Sequence, residues 1–122
     1  MIVYPTHTCF DDALDMLCEA IKANPGSAHS DELKLVHGIC VAPDGKKYSH
    51  AWVESDRRIA WFAGVVDGKK TQLAAPIEEY YIEINVVETT KYTPRQAWEE
   101  NYRHANYGPW LEKYKRLCNE SL

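Results

Sequence analysis

Hydrophobic residues along the chain follow a helical spacing first and a strand-like spacing afterwards. Between residues 9 and 23 they recur every three or four positions, which places them on one face of an α-helix. These positions are Phe10, Ala13, Leu14, Leu17 and Ile21. Thr8 is a candidate N-cap with Asp11 three residues later, and the sequence NPG at 24–26 predicts the end of the helix.

Two extended segments follow, and the turn between them predicts a β-hairpin. Residues 33–42 and 46–54 are joined through Asp44-Gly45, a dipeptide typical of tight turns between strands. A further turn leads into residues 59–66, which are rich in aromatic and β-branched side chains and predict a third strand.

A fourth strand is predicted from the alternation in residues 80–88. Ile82, Ile84 and Val86 would lie on one face there, and polar residues on the other. This period of two is typical of a strand that is buried on one side only.

The C-terminal third of the chain carries the signals of two helices. Thr93 is a candidate N-cap, Pro94 suits the first helical position, and Gln96 can reach back to the cap. These residues predict a helix over 94–105, and the apolar spacing further on predicts a last helix over about 110–118.

The predicted element order is therefore α-ββββ-αα. Short connections between consecutive strands favour an antiparallel sheet with helices packed against it. We predict a single α+β domain over residues 1–122, in which an N-terminal helix packs on a mainly antiparallel sheet of about four strands, with two C-terminal helices. A chain of this length can bury one modest core.

Composition and charge narrow the classes of function. Of the 122 residues, 45% are hydrophobic and 26% are charged, as in an ordinary globular protein. A net charge of −4 argues against a broad nucleic-acid-binding surface. No segment approaches the roughly 18 apolar residues of a membrane span, and the N-terminus lacks the basic and apolar regions of a signal peptide. We therefore expect a cytoplasmic protein without nucleic-acid or membrane partners.

A cysteine, a histidine and an aspartate are the candidates for a catalytic site. Cys9 occupies the predicted first turn of the N-terminal helix, where unpaired N–H groups and the helix dipole stabilise a thiolate. A thiol nucleophile needs a base, and His50 on the second strand is the natural candidate. Asp67, at the end of the third strand, would orient the imidazole ring. The alternatives for this last role are Glu54, Asp56 and Asn85.

The segments around these residues resemble the core of transglutaminase-like cysteine enzymes. The matching pieces are CFDDA from Cys9, HAWVE at 50–54 and WFAGVVD ending at Asp67, which together cover about residues 8–68. The resemblance implies a papain-like core in which Cys9 forms a thioester from an amide of a protein or peptide substrate, and water or an amine then accepts the acyl group. The implied mechanism uses no metal and no organic cofactor. Gly68 stands where the superfamily usually has a proline.

Four aromatic side chains are candidates for contacts with substrate. They are His7, His37, Trp52 and Trp110. His7 lies two residues before the cysteine, His37 lies on the strand predicted to pair with that of His50, and Trp52 shares a face with His50. Trp110 follows the breaker YGP, which either seats its ring in the core or presents it at the rim of a cleft.

A plainer interpretation stands beside each candidate. Cys9 is alternatively a small buried hydrophobic residue, His50 a core histidine, and Asp67-Gly68 a turn. The whole chain is alternatively a binding or inhibitor module, of phage or plasmid type, that has this fold without the chemistry. A metal site formed by Cys9, His37 and His50 is a weaker alternative, since no CxxC pair is present.

Overall fold

The computed structural model describes residues 8–26 and 32–120. In these ranges the helices are α1 (Cys9–Ala23), α2 (Ile77–Ile84), α3 (Pro94–His104) and α4 (Glu112–Glu120). The strands are β1 (Leu33–Val41), β2 (Lys47–Ser55), β3 (Ile59–Val66), β4 (Lys69–Pro76) and β5 (Val86–Tyr92). None of these helices is long and apolar enough to cross a membrane.

The five strands form one antiparallel sheet in the order β4-β3-β2-β1-β5. The central strands β1 and β2 are each buried at six successive positions. Because successive side chains point to opposite faces of a sheet, burial at every position means that both faces are covered. The strands β4 and β5 form the two edges.

Helices cover the two faces of this sheet unequally. On one face, α1 packs against β2, and Leu17 lies in one apolar cluster with Ala51 and Val53. Helices α3 and α4 share this face, which we call the α1 face. On the other side, which we call the α2 face, Tyr80 of α2 belongs to a second cluster that contains Trp52. The sheet therefore divides the core into two separate parts.

Most of the predicted elements are confirmed. Helix α1 spans the predicted residues 9–23, and β3 spans 59–66. The β1–β2 hairpin turns through Gly45, whose φ of +87° is in the left-handed region that favours glycine. At the start of α3, the Thr93 hydroxyl accepts a hydrogen bond from the Gln96 N–H at 3.1 Å, and the Gln96 side chain accepts one from the Thr93 N–H at 2.9 Å. The predicted capping box is thus present.

The strand predicted over residues 80–88 is wrong. This segment contains the end of α2 and the beginning of β5, separated by Asn85 in the left-handed conformation at a φ of +54°. Tyr80 and Ile84 are four residues apart and both buried, so the helical period prevails over the alternation of Ile82 and Val86. Strand β4 is not predicted from the sequence, because most of its side chains are exposed and show no apolar alternation.

The first turn of α1 also differs from the prediction. The Thr8 side chain makes no capping hydrogen bond; its hydroxyl donates instead to an Asp12 carboxylate oxygen at 2.9 Å. Lys70 Nζ of β4 lies 3.1 Å from the other Asp12 oxygen and 3.3 Å from Thr8 Oγ1. The beginning of α1 is therefore tied to the beginning of β4.

Candidate functional site

Cys9 begins α1, as predicted, but its side chain is buried in the core. It is 2% exposed and belongs to the apolar cluster of the α1 face. The same cluster contains Phe10, Ala13 and Ala51. The thiol is therefore enclosed between the helix and the sheet.

His50 lies on the opposite side of the sheet, on the α2 face. Its Nε2 atom is 2.7 Å from the Tyr80 hydroxyl oxygen of α2. The neighbouring residues of β2 point the other way: Ala51 joins the α1 cluster, and Ser49 Oγ donates to the Tyr114 carbonyl of α4 at 2.5 Å. The sheet thus separates the His50 imidazole from the Cys9 thiol, and the predicted nucleophile–base pair is not assembled.

Asp67 forms part of the tight turn between β3 and β4. Asp67 and Gly68 have φ values of +51° and +79°, and Val66 pairs with Lys69 on either side of them. Two left-handed residues between paired strands form a turn of type I′, which Asp-Gly favours. The Asp67 side chain is exposed, whereas His50 is buried. The turn interpretation therefore accounts for this aspartate, and the structure does not place it against the histidine.

The polar residues of the HAWVE segment attach α2 to the sheet. Trp52 Nε1 donates to Glu54 Oε2 at 2.8 Å, and the Tyr81 hydroxyl of α2 donates to the same oxygen. Lys91 Nζ of β5 lies 2.9 Å from the other Glu54 oxygen. Together with the contact between His50 and Tyr80, these bonds involve every second residue of the motif. The partners on α2 and β5 could not be identified from the motif, because they lie about 25 to 40 residues later in the chain.

Burial suppresses ionisation on the α2 face. It lowers the pKa of His50 to about 4, because the imidazolium would lose its hydration there. Burial, together with the Glu54 carboxylate as hydrogen-bond acceptor, raises the pKa of Tyr81. Burial also raises the pKa of the Cys40 thiol to about 12. These three groups are therefore uncharged near neutral pH, as suits a structural network.

His37 is enclosed by aromatic rings on the α1 face. The centroid of its ring lies 4.8 Å from that of Phe10, 5.0 Å from that of Tyr92 and 5.1 Å from that of Trp110. The side chain is fully buried, and neither ring nitrogen has a hydrogen-bond partner in the described part of the chain. Burial lowers the pKa of His37 to about 3. The imidazole is thus a neutral core group that substrate does not reach.

The other predicted contact residues are also withdrawn from solvent. Trp52 is fully buried, and Trp110 is 4% exposed. Trp110 Nε1 donates to the Asn106 carbonyl at 3.1 Å, so the preceding turn seats this ring in the core. His7 lies outside the described residues. Neither tryptophan is exposed enough to form a substrate contact.

The alternative metal site is divided by the sheet in the same way as the catalytic pair. Cys9 and His37 belong to the α1 face, and His50 belongs to the α2 face. Within residues 8–26 and 32–120, no three histidine, cysteine or carboxylate side chains lie close enough together to hold a metal ion.

An open groove runs between α1 and the β3–β4 hairpin on the α1 face. Two adjoining clefts of about 530 and 220 Å³ form it, and Met16 and Gln72 line both. Trp61, which is 37% exposed, lines the larger cleft, and Ala63 lines the smaller one. We call this the α1 groove. The groove was not predicted from the sequence. The one available signal is the apolar run at 59–63, which indicates that other elements pack on both faces of β3.

Acidic side chains outnumber basic ones along the α1 groove. Five carboxylates line the two clefts: Asp12, Asp15, Glu19, Glu32 and Asp56. The two cations there are Arg57 and Lys70, which leaves a formal charge of −3. Lys70 already pairs with Asp12, and the exposed Lys22 lies 3.3 Å from Glu19. Along the remaining wall of α1, a cationic ligand would find the Asp15 carboxylate and would compete with Lys22 for that of Glu19.

Comparisons with known proteins identify no relative of this chain: no family model, no curated protein and no solved structure matches it. The likeness of CFDDA, HAWVE and WFAGVVD to transglutaminase-like enzymes stays a prediction. Two features of the described residues bear on function: the buried network around Glu54 and the open α1 groove.

Proposed function

We propose that this chain is a peptide-binding module, and that the α1 groove receives a segment of a partner protein. One observation carries the proposal: an open, partly apolar groove with an exposed tryptophan, Trp61, in its wall. The volume of the larger cleft, about 530 Å³, is in the usual range for ligand sites. Tryptophan is enriched among the residues that contribute most to binding energy.

The positions of the polar motif residues support a binding role over catalysis. The HAWVE segment is used to attach α2, and the histidine in it is neutral and buried. Cys9 is buried on the other face. The groove itself combines an apolar floor with a charged rim, which is the usual anatomy of a surface that binds another protein.

A random-peptide display library selected on the immobilised protein tests this function. We expect an enriched peptide family whose affinity falls at least roughly 30-fold in Trp61→Ala, since an aromatic hot spot contributes about 2 kcal/mol or more. Ile82→Ala is the matched control: Ile82 is an exposed apolar residue of α2, on the opposite face of the sheet from the groove, and its loss should leave the affinity unchanged. A library that yields no peptide family sensitive to Trp61→Ala would contradict the proposal.

A cysteine-dependent amidase, peptidase or acyl transferase is the second candidate, and the place of Cys9 as the first residue of α1 is the observation that favours it. Cys9→Ala separates the two functions. If the chain is a binding module, the Cys9→Ala variant keeps its peptide affinity and its biological effect. If the chain is a thiol enzyme, the variant loses all turnover. A Cys9→Ala protein without biological effect, but with intact peptide affinity, would favour the enzyme.

A further inference from the structure

Strand β4 is an edge of the sheet and borders the α1 groove. We infer that the partner segment binds as a sixth strand paired with β4, and that it carries lysine or arginine on the side that faces α1. This inference rests on the proposed function, because it specifies the mode of binding and the chemistry of the ligand in the same groove.

The hairpin register determines which backbone groups of β4 are available. Val66 and Lys69 close a two-residue turn, so they form a hydrogen-bonded pair, and such pairs recur at every second position of an antiparallel ladder. The residues between them direct their N–H and C=O groups away from β3. On β4 these residues are Lys70, Gln72 and Ala74. An extended peptide can therefore hydrogen-bond to three successive outward-facing residues.

The same residues direct their side chains toward the α1 groove. Lys70 reaches Asp12 of α1, and Gln72 lines both clefts. Side chains of one strand alternate between faces, so a peptide strand beside β4 would present every second side chain to the α1 face. Backbone pairing and side-chain recognition would thus occur at the same three positions, which is the way strand addition combines affinity with specificity.

Among the described residues, no strand pairs with the outer edge of β4. Lysines occupy the first two positions of β4, and Pro76 occupies the last. Lysine and proline at the edge of a sheet disfavour pairing with a further strand. Residues 71–75 between them carry no charge and no proline. A segment of about five residues can therefore pair there without meeting a missing N–H group, and the one cation among the outward-facing residues, Lys70, is already paired with Asp12.

Charge favours a basic peptide over a second copy of this chain. Asp15 and Glu19 of α1 face the groove beyond the Lys70–Asp12 pair, and Glu19 is paired with the exposed Lys22 of the same helix. If two copies paired through β4, the two-fold axis would be perpendicular to the sheet and would place both acidic α1 rims on the same side. Like charges would then approach each other, whereas a lysine or arginine of a peptide would neutralise them.

The test uses two acetylated and amidated peptides, KVKVKVKV and EVEVEVEV, with affinity measured by calorimetry. We expect KVKVKVKV to bind at least about 10-fold more tightly than EVEVEVEV, and the double variant Asp15→Asn/Glu19→Gln to remove this preference. Amide hydrogen exchange should show new protection at Lys70, Gln72 and Ala74 in the complex. Equal affinities for the two peptides, or protection elsewhere only, would overturn the inference.

A proline at an outward-facing position separates strand addition from other modes of binding. Gln72→Pro removes an outward N–H and leaves the bonds to β3 intact, so it should fold with a near-normal melting temperature and lose at least about 10-fold in affinity for KVKVKVKV. Gln72→Thr keeps that N–H and is the control. Affinity within twofold of the parent protein in a folded Gln72→Pro variant would overturn strand addition.

The outcomes also distinguish the inference from the function on which it rests. If library peptides depend on Trp61 but bind equally well to Gln72→Pro, the groove binds peptides by another mode and only the inference fails. If no peptide depends on either residue, the proposed function fails as well. A dimer in sedimentation velocity that Gln72→Pro dissociates would show that a second copy occupies the edge, which overturns the basic peptide as occupant.

Discussion

Side-chain burial determines the order in which the described thiols react. Cys9 and Cys40 are buried, at 2% and 0% exposure, and burial raises the pKa of Cys40 to about 12. Cys18, on the same helix as Cys9, is partly exposed. Because the reactive species is an accessible thiolate, accessibility should dominate the reaction rates of these three residues in the native protein.

We expect iodoacetamide to label Cys18 before Cys9 and Cys40 at about pH 8, as followed by mass spectrometry of tryptic peptides. In urea all three should react at similar rates, which is the control for intrinsic reactivity. Preferential labelling of Cys9 in the native protein, lost in His50→Ala, would contradict this order and would support the thiol enzyme.

His37 represents an energetic cost inside the α1 face. Its two buried ring nitrogens have no hydrogen-bond partner among residues 8–26 and 32–120, and an unsatisfied buried polar group costs about 1–3 kcal/mol. We expect His37→Leu to raise the free energy of unfolding at neutral pH by about 1 kcal/mol, as measured by urea denaturation. His104→Leu, at an exposed position of α3, is the control and should change stability by less than about 0.5 kcal/mol. A loss of stability in His37→Leu would indicate that the nitrogens bind something in solution.

Among the elements, β1 and β2 depend on one glycine for their packing. A Cβ added at Gly38 would lie 2.3 Å from Cη2 of Trp52, so the indole occupies the space beside the β1 backbone. Trp52 in turn donates to Glu54 and belongs to the cluster of the α2 face. The position of α2 on the sheet therefore depends on the absence of a side chain in β1.

Gly38→Ala should accordingly destabilise the protein, by about 1–3 kcal/mol, because an extra methyl group in a tight core forces the indole to move. Thermal unfolding with near-ultraviolet circular dichroism would report both the lower melting temperature and the altered tryptophan environment. Gly26→Ala is the control, since the nearest atom to its added Cβ is at 3.7 Å. Equal stability of the two variants would show that the packing around Trp52 is loose.

The elements differ in how far the sequence predicts them. Helix α1 is predictable, because one apolar stripe and polar residues elsewhere leave a single periodic solution. The segment 80–88 fits two periods, and the local helix signals, acidic residues in the first turn and Asn85 at the end, decide between them. Strand β4 is stabilised by its partner β3 rather than by its own apolar residues, so its sequence carries little evidence of it.

For the molecule as a whole, the division of the core by the sheet determines the dependence of stability on pH. His37 on one face and His50 on the other have pKa values lowered to about 3 and about 4, from an ordinary value of 6.5. As the pH falls below 6.5, the unfolded chain binds protons at these residues and the folded protein does not. The contribution of these two residues to stability is therefore present above about pH 6.5 and is lost as the pH falls toward about 4 for His50 and about 3 for His37.

We expect the free energy of unfolding to be about 2–3 kcal/mol lower at pH 5.5 than at pH 7.5, because each histidine contributes up to about 1.4 kcal/mol per pH unit in this range. Urea denaturation at the two pH values measures the difference. The double variant His37→Leu/His50→Gln should lose most of it. An unchanged pH dependence in that variant would show that other groups titrate on unfolding.

The candidate site was less predictable than the fold. Both faces of β2 are buried, so Ala51 and Val53 look as suitable for facing a helix as His50 and Trp52 do. The alternation that usually assigns a strand face to the core is absent there, and the sequence contains no signal that tells which set faces α1. The sequence therefore gives the order of Cys9, His50 and Asp67 along the chain, but it does not determine their placement in space.

The parity of β2 has an evolutionary consequence. Side chains alternate along a strand, so a shift of β2 by one residue in its pairing register would transfer the imidazole, Trp52 and Glu54 together to the side where Cys9 lies. No substitution of those residues is needed for that exchange. Two chains with the same HAWVE letters can therefore differ by one residue in the register of this strand and use the motif for different purposes, as an attachment for a helix in one and as the partner of a thiol in the other.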